Sequence, residues 1–182
     1  MQNKLALANP ETAYSWEPNL EKMPCFGRQQ KSYNFEWPTL YQVQHWNHDR
    51  KIELQRISTN WSSLRSIQMH LTNNISSDEL SASERGDFDR ENMLNINIPP
   101  GQKRSVPITE IGIKMSGSLQ FYGIRFTYAT GDVFTLYEAD GGLWKTKQVP
   151  KGKDIIGIYG NADEDRLYSL GFIVWEANAQ AI

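Results

Sequence analysis

Cysteine is nearly missing from this 182-residue chain: Cys25 stands alone. No intramolecular disulfide can brace such a fold, and no thiolate-rich zinc site can form. Long hydrophobic runs are missing too, since no stretch approaches the roughly 20 apolar residues of a membrane-spanning helix. Neither sign of charge dominates. Nineteen Lys and Arg stand against 21 Asp and Glu, a formal charge of −2, which argues against a broad nucleic-acid or anionic-membrane surface, as the lack of a long apolar run argues against membrane insertion. Residues 1–15 lack a basic start followed by an apolar core, and they are poor in arginine. The expectation is a cytoplasmic protein, with cytoskeleton or cilium as the narrower form, and not a secreted one.

Catalytic patterns are equally scarce. The chain has no Gly-x-Ser-x-Gly elbow, phosphate-cradling loop or dinucleotide fingerprint. Its three histidines are His45, His48 and His70. His45 and His48 flank Trp46 and Asn47 beside Asp49, too few ligands for a metal site. His70 falls on the polar phase of an alternating segment and reads as a surface residue. Asp87, Asp89 and Glu91 alternate without the glycine-centred pattern of a calcium loop. Cys25 has no flanking base to lower its pKa. These residues predict a non-catalytic protein with no cofactor and no metal.

What is present divides in two. Residues 1–44 carry Pro10, Pro18, Pro24 and Pro38, which break every helical window. The same stretch holds seven aromatic rings, Tyr14, Trp16, Phe26, Tyr33, Phe35, Trp37 and Tyr41. Disordered tails are poor in such rings, and each can bury roughly 150–250 Å². The segment therefore reads as an extended arm whose seven rings form a partner-binding surface on neighbouring chains. From residue 45 the period is two: Ile67, Met69 and Leu71; Leu94, Ile96 and Ile98; Ile111, Ile113 and Met115; Tyr122, Ile124, Phe126 and Tyr128. Turn clusters such as Pro99-Pro100-Gly101, Asp140-Gly141-Gly142 and Pro150-Lys151-Gly152 separate these segments. Alternation so bounded predicts antiparallel sheets without helices. The stretch 76–92 reads as a solvated loop.

Four elements in order carry a resemblance. Ile124-Arg125-Phe126-Thr127-Tyr128-Ala129-Thr130-Gly131 is followed by Gly141-Gly142, by Val149–Gly160, and by Leu167-Tyr168-Ser169-Leu170-Gly171-Phe172. Together they resemble the "I-x-F-x-Y-x-x-G", "L-P-x-x-E-x-I-x-G-x-x-G" and "I-x-S-L-x-F" segments of the jacalin-related lectins, over roughly residues 60–176. The resemblance implies an all-β fold, a β-prism of three antiparallel four-stranded Greek-key sheets. The domain would span 45–176, with the extended arm before it and a tail at 177–182. It also implies a sugar held at one end of the prism by a "G-x-x-x-D" loop, whose Asp accepts bonds from two sugar hydroxyls. Aligned on Leu167–Gly171, Tyr168 stands where that Asp does, and Glu164 where the loop Gly does. The candidate carbohydrate residues are thus Gly160, Asn161, Asp163, Asp165 and Tyr168, in a degenerate loop. Two functions follow as expectations. One is a structural subunit of a large intracellular assembly, cytoskeletal or axonemal, whose partners are other protein subunits. The other is a cytoplasmic lectin whose partner is carbohydrate.

Overall fold

The computed structural model describes residues 20–31, 34–38, 52–60, 66–73, 79–81, 85–86, 93–97, 106–117, 120–163 and 165–176. Every regular element among them is a β-strand, and the strands form three antiparallel sheets. In the first, β13 (Lys153–Ala162) and β14 (Leu167–Glu176) form a long central hairpin. β1 (Glu21–Lys22) and β2 (Phe26–Gly27) pair along the outer edge of β14, and β3 (Asn34–Trp37) pairs along β13. The second sheet has the order β11 (Val133–Glu138), β10 (Phe121–Tyr128), β9 (Ile108–Met115), β12 (Leu143–Gln148). The third is built on β4 (Ile52–Asn60) and β5 (Ser66–Asn73). Their flanks are β6 (Glu79–Ser81), β7 (Arg85–Gly86) and β8 (Met93–Asn97). The stretch expected to be a solvated loop at 76–92 thus contains β6 and β7, because β5 offers a free edge that short strands can pair.

The period-two segments bury one phase inside the prism. Ile67, Met69 and Leu71 from the third sheet, Ile111, Ile113 and Phe126 from the second, and Ile156, Ile158 and Phe172 from the first are all inaccessible to solvent. Phe126 and Phe172 meet edge to face, ring centroids 6.4 Å apart at 79°, and join two of the sheets. Such a pair adds about 0.5–1.5 kcal/mol beyond area burial. Alternation slips once within β10. The register on β9 shifts between Phe121 and Gly123, so Phe121 is buried with Ile124, Phe126 and Tyr128, while Tyr122 is only half-buried.

The chain ahead of residue 45 corrects the sequence reading. Phe26 and Phe35, expected to grip other chains, are 3% and 6% exposed and belong to the protein's own core. Trp37 is half-buried and packs against the same cluster. Residues 21–37 supply three strands to the first sheet, so the arm-to-domain boundary at 44 does not separate two bodies there. The physical reason is local. The β13–β14 hairpin has two open edges, and nearby chain that pairs with them satisfies backbone groups and buries its own rings at once. Tyr14, Trp16, Tyr33 and Tyr41 lie outside the described residues, as do His45, His48, Trp61 and the Asp87–Glu91 run. His70, expected at the surface, is 5% exposed. Its Nε2 lies 2.9 Å from the Ser58 hydroxyl and its Nδ1 3.2 Å from the Arg56 guanidinium. A polar strand phase is buried there because these cross-strand partners satisfy it.

Candidate functional site

Between β2 and β3 the chain crosses from one edge of the first sheet to the other. Residues 28–31 lie as a strap against the end of the prism where β13 turns into β14. The amide of Arg28 donates to the Tyr168 carbonyl at 3.0 Å. Gly27 allows this approach: its φ is +87°, and a Cβ there would stand 2.4 Å from the Tyr168 carbonyl oxygen and 2.9 Å from the Phe121 ring. The strap, the hairpin and the start of β10 therefore meet at one end.

Asn161 fastens the strap. Its Oδ1 accepts from the Gln30 amide at 2.9 Å and from the Ser169 hydroxyl at 2.8 Å. Its Nδ2 donates to the Gln30 carbonyl at 3.1 Å and to Asn34 Oδ1. At 2% exposure it is among the most buried polar side chains of the molecule. Asn161 is therefore a structural clamp rather than a group presented to a ligand. Gly160 is likewise internal, since a Cβ on it would meet the Ser169 carbonyl oxygen at 2.1 Å.

The remaining candidates sit at the hairpin tip. Asp163 Oδ1 accepts the backbone amides of Asp165 at 2.9 Å and Arg166 at 3.0 Å, and Asp163 Oδ2 accepts the Tyr168 hydroxyl. The Asp163 amide donates to the Arg166 carbonyl at 3.2 Å and closes the turn. Asx-type capping of this kind is what Asp supplies in tight loops. The Tyr168 hydrogen bond first, then the two amides, hold the Asp163 carboxyl below the ordinary aspartate range. The Arg166 guanidinium stacks on the Tyr168 ring, 4.5 Å from its centroid. Asp165 and Arg166 are exposed. The tip thus presents an ionised carboxylate with one acceptor position unused, a guanidinium fork, a second carboxylate and the rim of an aromatic ring. It can accept and donate hydrogen bonds to a hydroxyl-rich ligand on an open surface. Nothing in it pairs a nucleophile with a base. Among the described residues no three metal-donating side chains converge.

Comparison with known proteins bears on the fold. No family model matches the chain, and no curated protein sequence does. Solved structures do. The Calystegia sepium agglutinin is 11% identical, with a TM-score of 0.58 over 87% of this chain and 97% of its own. Artocarpin, solved as a mannotriose complex, is 10% identical with a TM-score of 0.57, over 85% and 96%. A Malaysian banana lectin is 13% identical with a TM-score of 0.56, over 86% and 98%. The fold is the jacalin-type β-prism. Both the resemblance read from the sequence and the all-β architecture stand on that likeness, and the alignment spans nearly the whole of each neighbour.

Tyr168, which the sequence reading sets where the resemblance expects an Asp, turns back onto Asp163 five residues earlier. The sequence signal for this pairing was the Asp163–Asp165 cluster beside an aromatic residue. The strap carried no such signal: nothing in Arg28–Asn34 marks it as crossing a hairpin 130 residues away.

Proposed function

We propose that this β-prism protein is a non-catalytic carbohydrate-binding lectin whose ligand sits on the tip of the β13–β14 hairpin, between Asp163, Arg166 and Tyr168. The observation that carries the reading is the capped Asp163 carboxylate at the end of the prism, ionised and fixed by its own loop before any ligand arrives. A preorganised charged acceptor binds a sugar hydroxyl more strongly than a neutral one. The fold likeness to lectins, one of them solved with mannotriose and one with a biantennary N-glycan, supports carbohydrate as the ligand class.

The other reading, a structural subunit whose aromatic leader docks on cytoskeletal or axonemal neighbours, loses its best anchors. Phe26 and Phe35 are committed to the protein's own core, which favours the lectin over the assembly subunit.

The test is a titration with mannotriose followed by amide NMR. Because the tip is open and much of the Asp163 acceptor capacity is used internally, the expected affinity is weak, of order 1 mM. Shifts should concentrate on residues 163–168 and vanish in Asp163→Ala. A panel of neutral oligosaccharides that moves no resonance in that hairpin would refute the assignment.

A further inference from the structure

A net charge of −2 conceals a segregated row of cations. Residues 141–153 contain Lys145, Lys147, Lys151 and Lys153 and no acidic residue, and residues 22–31 contain Lys22, Arg28 and Lys31 and none either. The fold lays these two segments side by side. β12 is an edge strand of the second sheet, and the Lys147 ammonium crosses the seam between sheets to donate to the carbonyls of Pro24 at 2.8 Å and Cys25 at 2.6 Å. It also lies 4.7 Å from the centre of the Phe26 ring.

Two of the seven cations are neutralised: Lys22 pairs with Glu36 and Lys153 with Glu21, both at 2.5 Å. Among the described residues, the other five, Arg28, Lys31, Lys145, Lys147 and Lys151, have no carboxylate partner. Partial burial and then the repulsion of Lys145 push the Lys147 ammonium below the ordinary lysine range. The Pro24 and Cys25 carbonyls fix the Lys147 ammonium at the seam, and with Lys145 repelling it from the same strand the local positive potential would favour an external anion.

We propose that this seam binds a linear polysaccharide bearing sulfate or carboxylate groups. The geometry favours a polymer lying along the strand. The row follows β12 from the exposed Lys145 through the half-buried Lys147 to the exposed Lys151 at the turn beyond the strand, a linear order that suits a chain better than a plane. A single-stranded nucleic acid would want aromatic platforms for its bases, and Phe26 at this seam is buried at 3% exposure beneath Lys147; a duplex, which needs only phosphate contacts, is left to the test. The seam cations are carried by β12, the turn after it and residues 22–31, the sugar tip by residues 163–168, and the two adjoin where the Arg28 amide meets the Tyr168 carbonyl, so the proposal stands whether or not a neutral sugar binds at Asp163.

The probe is heparin. The native protein should be retained on heparin–agarose at about 150 mM NaCl. The triple variant R28Q/K145Q/K151Q should flow through; all three side chains are exposed, and its urea midpoint should match that of the native protein. The slope of log affinity against log salt should fall by roughly two to three, near one per lost contact as for other polyanions. The hairpin variant R166Q should be retained like the native protein, which separates this site from the sugar tip. Unchanged retention of the folded triple variant would overturn the proposal. So would native binding at least as tight to vesicles of phosphatidylcholine and phosphatidylserine in equal parts, or to duplex DNA, since either would make the seam a membrane or nucleic-acid surface.

Discussion

Replacing Asn161 by Ala should loosen the whole ligand-bearing end. Among the described residues the side chain makes four hydrogen bonds: two with the Gln30 backbone, one with Asn34 and one with Ser169. Truncation leaves the Ser169 hydroxyl, at 0% exposure, without that partner, at about 1–3 kcal/mol for a buried unsatisfied group. The Gln30 amide and carbonyl are half-buried and can recruit water, so together they add about 1 kcal/mol. The expected loss is about 2–4 kcal/mol, or roughly 5–15 °C in Tm for a chain of this size. Ser169→Ala deletes one bond and keeps the clamp, so its loss should stay near about 1 kcal/mol. Urea unfolding of the three proteins, with equal m-values as a check on two-state behaviour, provides the comparison. If Asn161→Ala cost no more than Ser169→Ala, the strap would not be held as described, and the hairpin tip would owe its shape to something else.

Two further outcomes follow from the same geometry. Deleting residues 1–38 should unfold the domain rather than free an appendage, because it removes β1 to β3 and the buried Met23, Phe26 and Phe35; a folded, cooperative truncated protein by circular dichroism would contradict this. Phe35→Ala alone should cost about 3–5 kcal/mol. Asp163 should titrate below the ordinary aspartate range, and Tyr168→Phe should raise its midpoint by removing the hydrogen bond that lowers it most. Since folding depresses this pKa, its contribution to stability is present above the unfolded value and disappears as pH falls through the folded one. Carboxyl carbon NMR across the acid range reads both, and a Tyr168→Phe midpoint equal to the native one would break the argument.

The sequence by itself determined the strand character and the inward phase. Ile67, Met69, Leu71, Ile111, Ile113, Ile124 and Phe126 alternate with polar residues, and all seven are fully buried, because a pleated strand sends alternate side chains to opposite faces regardless of what it pairs with. Local repetition of that kind, together with glycine-bounded turns, sufficed for antiparallel sheets, and the prism itself came from the resemblance carried by the four segments between Ile124 and Phe172. The tertiary structure decided everything that depends on pairs distant in the chain. Phe26 and Phe35 look alike in sequence whether they cover a neighbour or their own domain, and only the open edges of the β13–β14 hairpin assign them inward. The slip at Phe121, the burial of His70 against Ser58, and the alignment of Lys147 with the carbonyls of residues 24 and 25 belong to the same class. Each is set by register or by contact across more than ten residues. One-dimensional patterning carries no information about such partners, since hydrogen-bond satisfaction is a property of the assembled sheets.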